Sequence, residues 1–244
     1  MKTISALAIA LLFTGSVLAA DTNTTGQVKE ALSKLKSAAN YSWTTTLKIA
    51  DLPFTPGPVK GKAEKDGFAS VSQEMNENKL EAVMKGDKIA LKTEDQWQLI
   101  DEVDGFAAMM GSWLTANGTA GDEAGKLIGL VKELTTGEGG MVSGDLTTEG
   151  AQSLLAVRPR GTNAGPKPPA PKNAKGSVKF WLKDGALVKF ESHLQGAVAF
   201  GPDQEEREMD MTRTIEIQEV GTTKLEVPAE AKKKLEPKSD LPKS

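Results

Sequence analysis

Two unusually long runs in which apolar residues occupy every second position constrain this sequence more than any other feature. The first run keeps one parity from Val188 through Phe190, Leu194 and Val198 to Phe200, with Gly196 as a place to bend. After a Gly201-Pro202-Asp203 turn, the second run places apolar side chains at Met209, Met211, Ile215 and Ile217. A period of two is typical of half-buried β-strands. Strands of this length exceed the usual five or six residues, so a twisted sheet built from them has to curl.

Shorter alternating segments in the first half of the chain predict a meander of antiparallel strands. Residues 41–49 alternate clearly, and strands over 59–64 and 68–74 are joined by Lys65-Asp66-Gly67. Asp-Gly between two such runs is a hairpin signal, because glycine accepts the positive φ of the turn. The alternation continues over 80–84, 89–91 and 97–99. A last short strand is expected at 225–227.

Helical spacing of apolar residues appears in four segments. Residues 24–40 form an amphipathic helix that ends at Asn40, and residues 105–134 form two helices, the second capped by Asp122. Residues 147–155 are a short helix capped by Asp145 or Thr147, with a strand as the alternative. Pro228 suits the start of a closing helix over 229–235.

The order of these elements predicts an α+β fold that is mainly β. We expect a strongly curved antiparallel sheet, an incomplete β-barrel, with helices packed in its concave face. Residues 20–236 are predicted to form a single domain, in which the Pro- and Lys-rich segment 158–175 is an exposed loop. Residues 237–244 are expected to be a flexible tail.

The first nineteen residues have the layout of a secretory signal peptide. Lys2 precedes an uncharged apolar run over 4–18, and small residues, Val17 and Ala19, precede the expected cleavage site. A transmembrane anchor is the alternative, but the run is short and polar residues follow at once. The sequence therefore predicts an exported protein, periplasmic or in the cell envelope and soluble after cleavage.

The composition removes most catalytic chemistry. The chain has no cysteine, a single histidine and a formal net charge of -3. A disulfide framework, a thiolate metal site and a cysteine nucleophile are thereby excluded, and the acidic balance argues against a nucleic-acid partner. His193 has the opposite parity to its apolar neighbours, so it is expected at the surface. We expect a non-enzyme with no cofactor and no metal site.

Two further sets of residues invite a functional interpretation and do not support one. The glycines at 137, 139, 140 and 144 lack the spacing of a phosphate-binding loop, which favours a flexible loop between helices. The acidic clusters at 101–104 and 205–210 lack the pattern of a calcium loop, which favours solvated surface.

Apolar side chains are the remaining candidates for a site. Methionine adapts to irregular partners, and an aromatic stripe with two methionines lies on the first helix after Gly105. The predicted ligand-binding residues are Trp43, Leu47, Met84, Leu91, Trp97, Leu99, Phe106, Met109, Met110, Trp113 and Phe190.

The whole pattern resembles the LolA-like lipoprotein-carrier superfamily. The resemblance rests on the opening helix, strand 41–49, the meander that ends at 96–101, and the segments 176–185 and 220–228. It implies an incomplete β-barrel around helices, which holds acyl chains of a lipid or an acylated protein and makes transient contact with a membrane. The chain departs from the anchored lipoproteins in lacking a cysteine for lipid attachment.

The sequence leaves two alternatives to a lipid carrier open. One is an exported protein-interaction or sensor module with a filled core, which uses the 158–175 loop. The other is a hydrolase that uses Asp101 and Asp104. A cavity of several hundred Å³ with apolar walls favours the carrier, and a filled interior favours the interaction module.

Overall fold

A computed structural model describes residues 24–50, 56–75, 78–94, 96–156, 169–200 and 205–236. The strands are β1 (Asn40–Ile49), β2 (Val59–Glu64), β3 (Phe68–Met75), β4 (Asn78–Lys85), β5 (Lys88–Thr93), β6 (Gln96–Leu99), β7 (Thr135–Thr136), β8 (Met141–Asp145), β9 (Lys172–Lys183), β10 (Ala186–Phe200) and β11 (Glu205–Gln218). The helices are α1 (Thr24–Ser37), α2 (Gly105–Thr115), α3 (Ala120–Leu130), α4 (Thr148–Leu155) and α5 (Ala229–Leu235). One-turn 3-10 helices lie at Ile100–Glu102 and Glu138–Gly140.

The strands of the described residues form one antiparallel sheet in the order β6-β5-β4-β3-β2-β1-β11-β10-β9-β8-β7. The first and last parts of the chain meet where β1 pairs with β11, for example at Trp43 opposite Ile217. The sheet has two edges, β6 and β7, and is not closed. The prediction of a mainly β fold with an open, curved antiparallel sheet is confirmed.

The main core lies between one face of this sheet and the helices α1 to α4. Alternate side chains of β9, β10 and β11 enter it, including the fully buried Phe180, Phe190 and Ile215. Helix α2 approaches β5 closely because residue 111 is a glycine, where an added Cβ would lie 2.8 Å from Leu91 Cδ2. The sheet curves around these four helices, as expected.

The fifth helix lies on the opposite face, which corrects the expectation that all helices pack in the concave face. Ala231 and Leu235 of α5 form a second apolar cluster with Phe68, Val83 and Ala90. These three strand residues have the parity that points away from the main core. Both faces of the β3–β6 end are therefore covered with apolar contacts.

The hairpin and helix-capping predictions are confirmed in most places. Gly67 has a φ of 90° in the turn between β2 and β3. A β-bulge between Gln195 and Ala197 lies at the expected bend. Thr147 caps α4, since its hydroxyl accepts a hydrogen bond from Gly150 N. For α3 the cap is Thr119 and not Asp122, which instead receives a hydrogen bond from the Thr119 backbone N–H.

Three segments differ from their predicted structure. The glycine-containing stretch expected to be a loop contains β7 and β8, and β8 extends the sheet beyond β9. Strand β9 begins at Lys172, so residues 172–175 belong to it and not to the expected 158–175 loop. Residues 225–227 form no strand, and Leu225 and Val227 pack against the α5 cluster.

Some predictions fall outside the described residues. They are the signal peptide at 1–19, the turn at 201–203, the tail at 237–244 and the part of the expected loop up to residue 168. Within the described ranges, no helix is both long and apolar enough to cross a bilayer.

Candidate functional site

A cleft of ≈ 270 Å³ opens on the concave face, between the ends of α2 and α4, helix α3 and the strands β1, β10 and β11. Eight apolar residues contribute to its wall: Leu47, Trp113, Ala116, Leu127, Leu154, Ala156, Leu194 and Met211. The volume lies just below the range of small-molecule sites, roughly 300–1,000 Å³. The cleft is therefore large enough for one narrow apolar group.

The register of three adjacent strands explains why these side chains share a face. Leu47 in β1 lies opposite Arg213 in β11, and Arg213 lies opposite Ser192 in β10. Met211 and Leu194 form the next row on the same face. Because side chains alternate between faces, every second residue of each strand reaches the cleft.

Helix α3 places a carboxylate against this wall. The helix begins at the Thr119 cap, and the backbone N–H of Gly121 donates to Tyr41 Oη at 3.2 Å, which joins the helix to β1. Glu123 follows in the first turn. Arg213 Nε donates to Glu123 Oε1 at 2.7 Å, and the two side chains are only 18% and 9% exposed.

Of the eleven predicted ligand-binding residues, Leu47 and Trp113 line this cleft. Four others lie in the main core as packed side chains: Trp43, Met84, Leu91 and Phe190. Leu91 is covered by α2, and Phe190 packs at 6.2 Å between ring centroids against Phe180. Three of these four are therefore packed core residues, and Met84 also borders a second cleft.

Trp97 and Leu99 do not share a face with the other predicted residues. Leu99 pairs with Ala90 and Trp97 with Lys92, and both side chains pack against the α5 cluster on the opposite face. The structure therefore separates them from the concave face.

The remaining three predicted residues lie on helix α2 and differ in how far they are exposed to solvent. Phe106 is 69% exposed, Met109 is 48% exposed, and Met110 is half-buried. The helix contains no charged residue, and its buried side is formed by Gly111, Ser112, Leu114 and Thr115. One side of α2 is therefore an uncharged apolar surface open to solvent.

The predicted set omits the charged residues of the cleft, Glu123, Lys126 and Arg213. Arg213 has a sequence signal, because it shares the parity of Met209, Met211 and Ile215, so a cation stands where the alternation calls for an apolar side chain. Glu123 has none, since acidic residues are common in the first turn of any helix.

A second cleft, of ≈ 690 Å³, is bordered by six charged residues, against three in the first cleft. It is bordered by Tyr41, by the loop between α2 and α3, and by the hairpin turns at Lys65 and Asp87. Burial raises the pKa of the Tyr41 phenol, against the opposing effect of its hydrogen bonds. Lysines and carboxylates alternate with apolar residues such as Met84 and Phe68 in this lining.

The histidine lies on the face away from the main core, as its parity predicts. His193 Nε2 lies 2.8 Å from Asp210 Oδ1, and Gln195 donates to the other carboxylate oxygen at 2.6 Å. These bonds, first that of Gln195 and then that of His193, lower the pKa of Asp210. Across the part of the chain that the structure describes, no three His, Asp or Glu side chains gather as metal ligands.

No family model and no curated protein matches the chain. Among solved structures, it is similar to LprF from Mycobacterium bovis, with 12% identity, coverage of 87% of this chain and 99% of that chain, and a TM-score of 0.46. The lipoprotein LppX of Mycobacterium tuberculosis shares 10% identity over 84% of this chain and 98% of that chain, with a TM-score of 0.44. A LolA superfamily protein from Nitrosomonas europaea shares 8% identity over 83% and 94%, with a TM-score of 0.34.

Proposed function

We propose that the protein is an exported, non-catalytic carrier that binds the acyl chain of a lipid or of an acylated protein in the concave-face cleft. The observation that carries this proposal is the cleft itself, because eight apolar residues border an open space of ≈ 270 Å³ on the concave face. The apolar run over residues 4–18 supports export to the periplasm or cell envelope. Transient contact with a membrane, and no nucleic acid, are part of this proposal.

The energy available from such a cleft is sufficient for reversible binding. Each methylene group transferred from water to an apolar environment contributes about 0.8 kcal/mol. A chain that buries about ten methylenes therefore gains about 8 kcal/mol before the costs of association. The volume of the cleft suits a single chain better than several, so we expect one acyl chain per protein.

Uptake of a fluorescent fatty acid tests the proposal. The purified protein should raise the fluorescence of parinaric acid or of its methyl ester, and native mass spectrometry should show one chain per protein. Leu154→Trp places an indole in the cleft wall and should abolish uptake, whereas Val220→Trp, at an exposed position, is the matched control. Failure of both probes to bind, with the protein folded, would refute a carrier.

The exposed side of α2 favours a second candidate, a protein-interaction module. Phe106 and Met109 form an apolar surface on a helix without charge, which is typical of a contact site for another protein. A photo-crosslinking side chain at position 106 should then yield a defined protein adduct in cells, and the same group at the exposed position 220 should not. Equal labelling from both positions would exclude this candidate.

A further inference from the structure

The concave-face cleft contains charge as well as apolar surface, and the charge identifies a class of ligand. We propose that its occupant is a single-chain amphiphile with an anionic oxygen headgroup, held by Arg213 with help from Lys126. This inference rests on the proposed function, since it names the substrate class of the same cleft.

The charges in the cleft wall do not cancel. Arg213 and Lys126 are cations and Glu123 is an anion, so one positive charge is in excess among the residues that line the cleft. Lys126 is exposed to solvent, whereas Arg213 is largely buried and pairs with Glu123. A headgroup with one negative charge would be attracted by this excess of positive charge, whereas a neutral lipid would gain nothing from it.

Arg213 retains hydrogen-bond donors for a second partner. It bonds Glu123 through Nε, and its terminal nitrogens have no hydrogen-bond acceptor among the residues that the structure describes. A guanidinium group presents its donors in a planar fork that matches the two oxygens of a carboxylate or phosphate. Ser192 in β10 lies directly opposite Arg213 in β11 and adds a hydroxyl group to the same wall.

The neighbouring rows provide the place for the chain. Met211 and Leu194 lie one side-chain position further along the same face, about 7 Å from the Arg213 row. Leu154 and Trp113 line the cleft as well. The headgroup therefore meets Arg213 while the first part of the chain lies on apolar side chains.

Two probes that differ only in charge test the proposal. The wild-type protein should bind parinaric acid at least about tenfold more tightly than methyl parinarate. Arg213→Met should reduce binding of the acid about tenfold and leave the ester unchanged. Arg207→Met is the matched control, because Arg207 lies on the same strand, is exposed and pairs with Glu205.

Glu123→Gln separates a role in binding from a structural role. It removes the anion that competes for Arg213, so it should raise affinity for the acid and not for the ester. A purely structural ion pair would instead weaken both. This variant also keeps the test valid if Arg213→Met fails to fold.

Competition by dodecanoate and dodecyl phosphate distinguishes a carboxylate from a phosphate headgroup, and either one displacing the acid probe supports the proposal. Equal affinity for the acid and the ester, unchanged by Arg213→Met and Glu123→Gln, would overturn it and leave the carrier function standing. Binding of neither probe would instead refute the carrier function.

Discussion

Replacing Gly61 with alanine tests whether Trp43 is a fixed part of the core or a movable wall of a cavity. Gly61 in β2 lies directly opposite Trp43 in β1, and a Cβ added there would lie 2.1 Å from two carbons of the indole ring. Trp43 is 4% exposed, and its ring lies 5.7 Å from that of Tyr41. The indole must therefore move, and packed neighbours oppose the movement.

The expected effect is a moderate loss of stability. Overpacking a filled core costs about 1–3 kcal/mol, while alanine lowers the entropy of the unfolded chain and recovers about 0.4–1 kcal/mol. The net destabilisation is about 1–2 kcal/mol. For a chain of this size, 1 kcal/mol corresponds to about 2–4 °C, so the melting temperature should fall by about 2–8 °C.

Thermal unfolding followed by circular dichroism measures this change. Gly129→Ala is the control, because Gly129 lies in helix α3 with no atom within 4 Å of an added Cβ. Alanine is favoured over glycine in a helix by about 1 kcal/mol, so this variant should raise the melting temperature. An unchanged or raised melting temperature for Gly61→Ala would show that free space adjoins Trp43, and would refute the reasoning.

Three further predictions concern ionisation and the outer cluster. Burial raises the pKa of Tyr41, the single tyrosine, so tyrosinate absorbance of the folded protein should appear above the usual pKa of about 10. The contribution of Tyr41 to the free energy of unfolding is full below that pH and is lost as pH rises through the folded pKa. Tyr41→Phe should remove this loss of stability at high pH. Hydrogen bonds from Lys79 and Lys92 outweigh burial and lower the pKa of Glu81 from its usual 4.5. The contribution of these bonds to the free energy of unfolding is present above pH 4.5 and is lost as pH falls through the lower folded pKa. When stability is measured by urea unfolding at a series of pH values, Glu81→Gln should therefore weaken the fall of stability on the acid side. Leu235→Ala should destabilise the protein by about 2–5 kcal/mol in urea, whereas the exposed Lys233→Ala should have little effect; equal effects would contradict the α5 cluster.

Much of the fold is predictable because its signals are local. The alternation in β1, the hairpin at Lys65-Asp66-Gly67 and the long strands β10 and β11 all depend on neighbouring residues in the chain. The closing helix is found at the predicted residues, Ala229–Leu235, after the proline that suits its start. Period and turn chemistry suffice for such elements, whatever the rest of the chain does.

The strands β7 and β8 escape prediction because their glycines have a different physical role from the one inferred. A Cβ at Gly144 would lie 2.0 Å from the backbone oxygen of Glu133, and one at Gly140 would lie 2.5 Å from that of Leu182. These glycines permit close approach of backbones rather than a flexible loop. That approach depends on partners distant in sequence, which no local pattern reveals.

The candidate site is less predictable than the fold for a related reason. Alternation shows that Trp97 lies on one of the two faces of the sheet, but it does not show which face is covered by a helix. That depends on α5, which follows more than a hundred residues later and covers the face opposite the main core. The same logic explains why Arg213 is informative. A cation at a strand position that faces the core needs an anionic partner there, and Glu123 of α3 is that partner for Arg213. An ion pair of this kind contributes little net stability compared with apolar residues of similar volume, and the ligand proposed above would give the pair a second role beside the cleft.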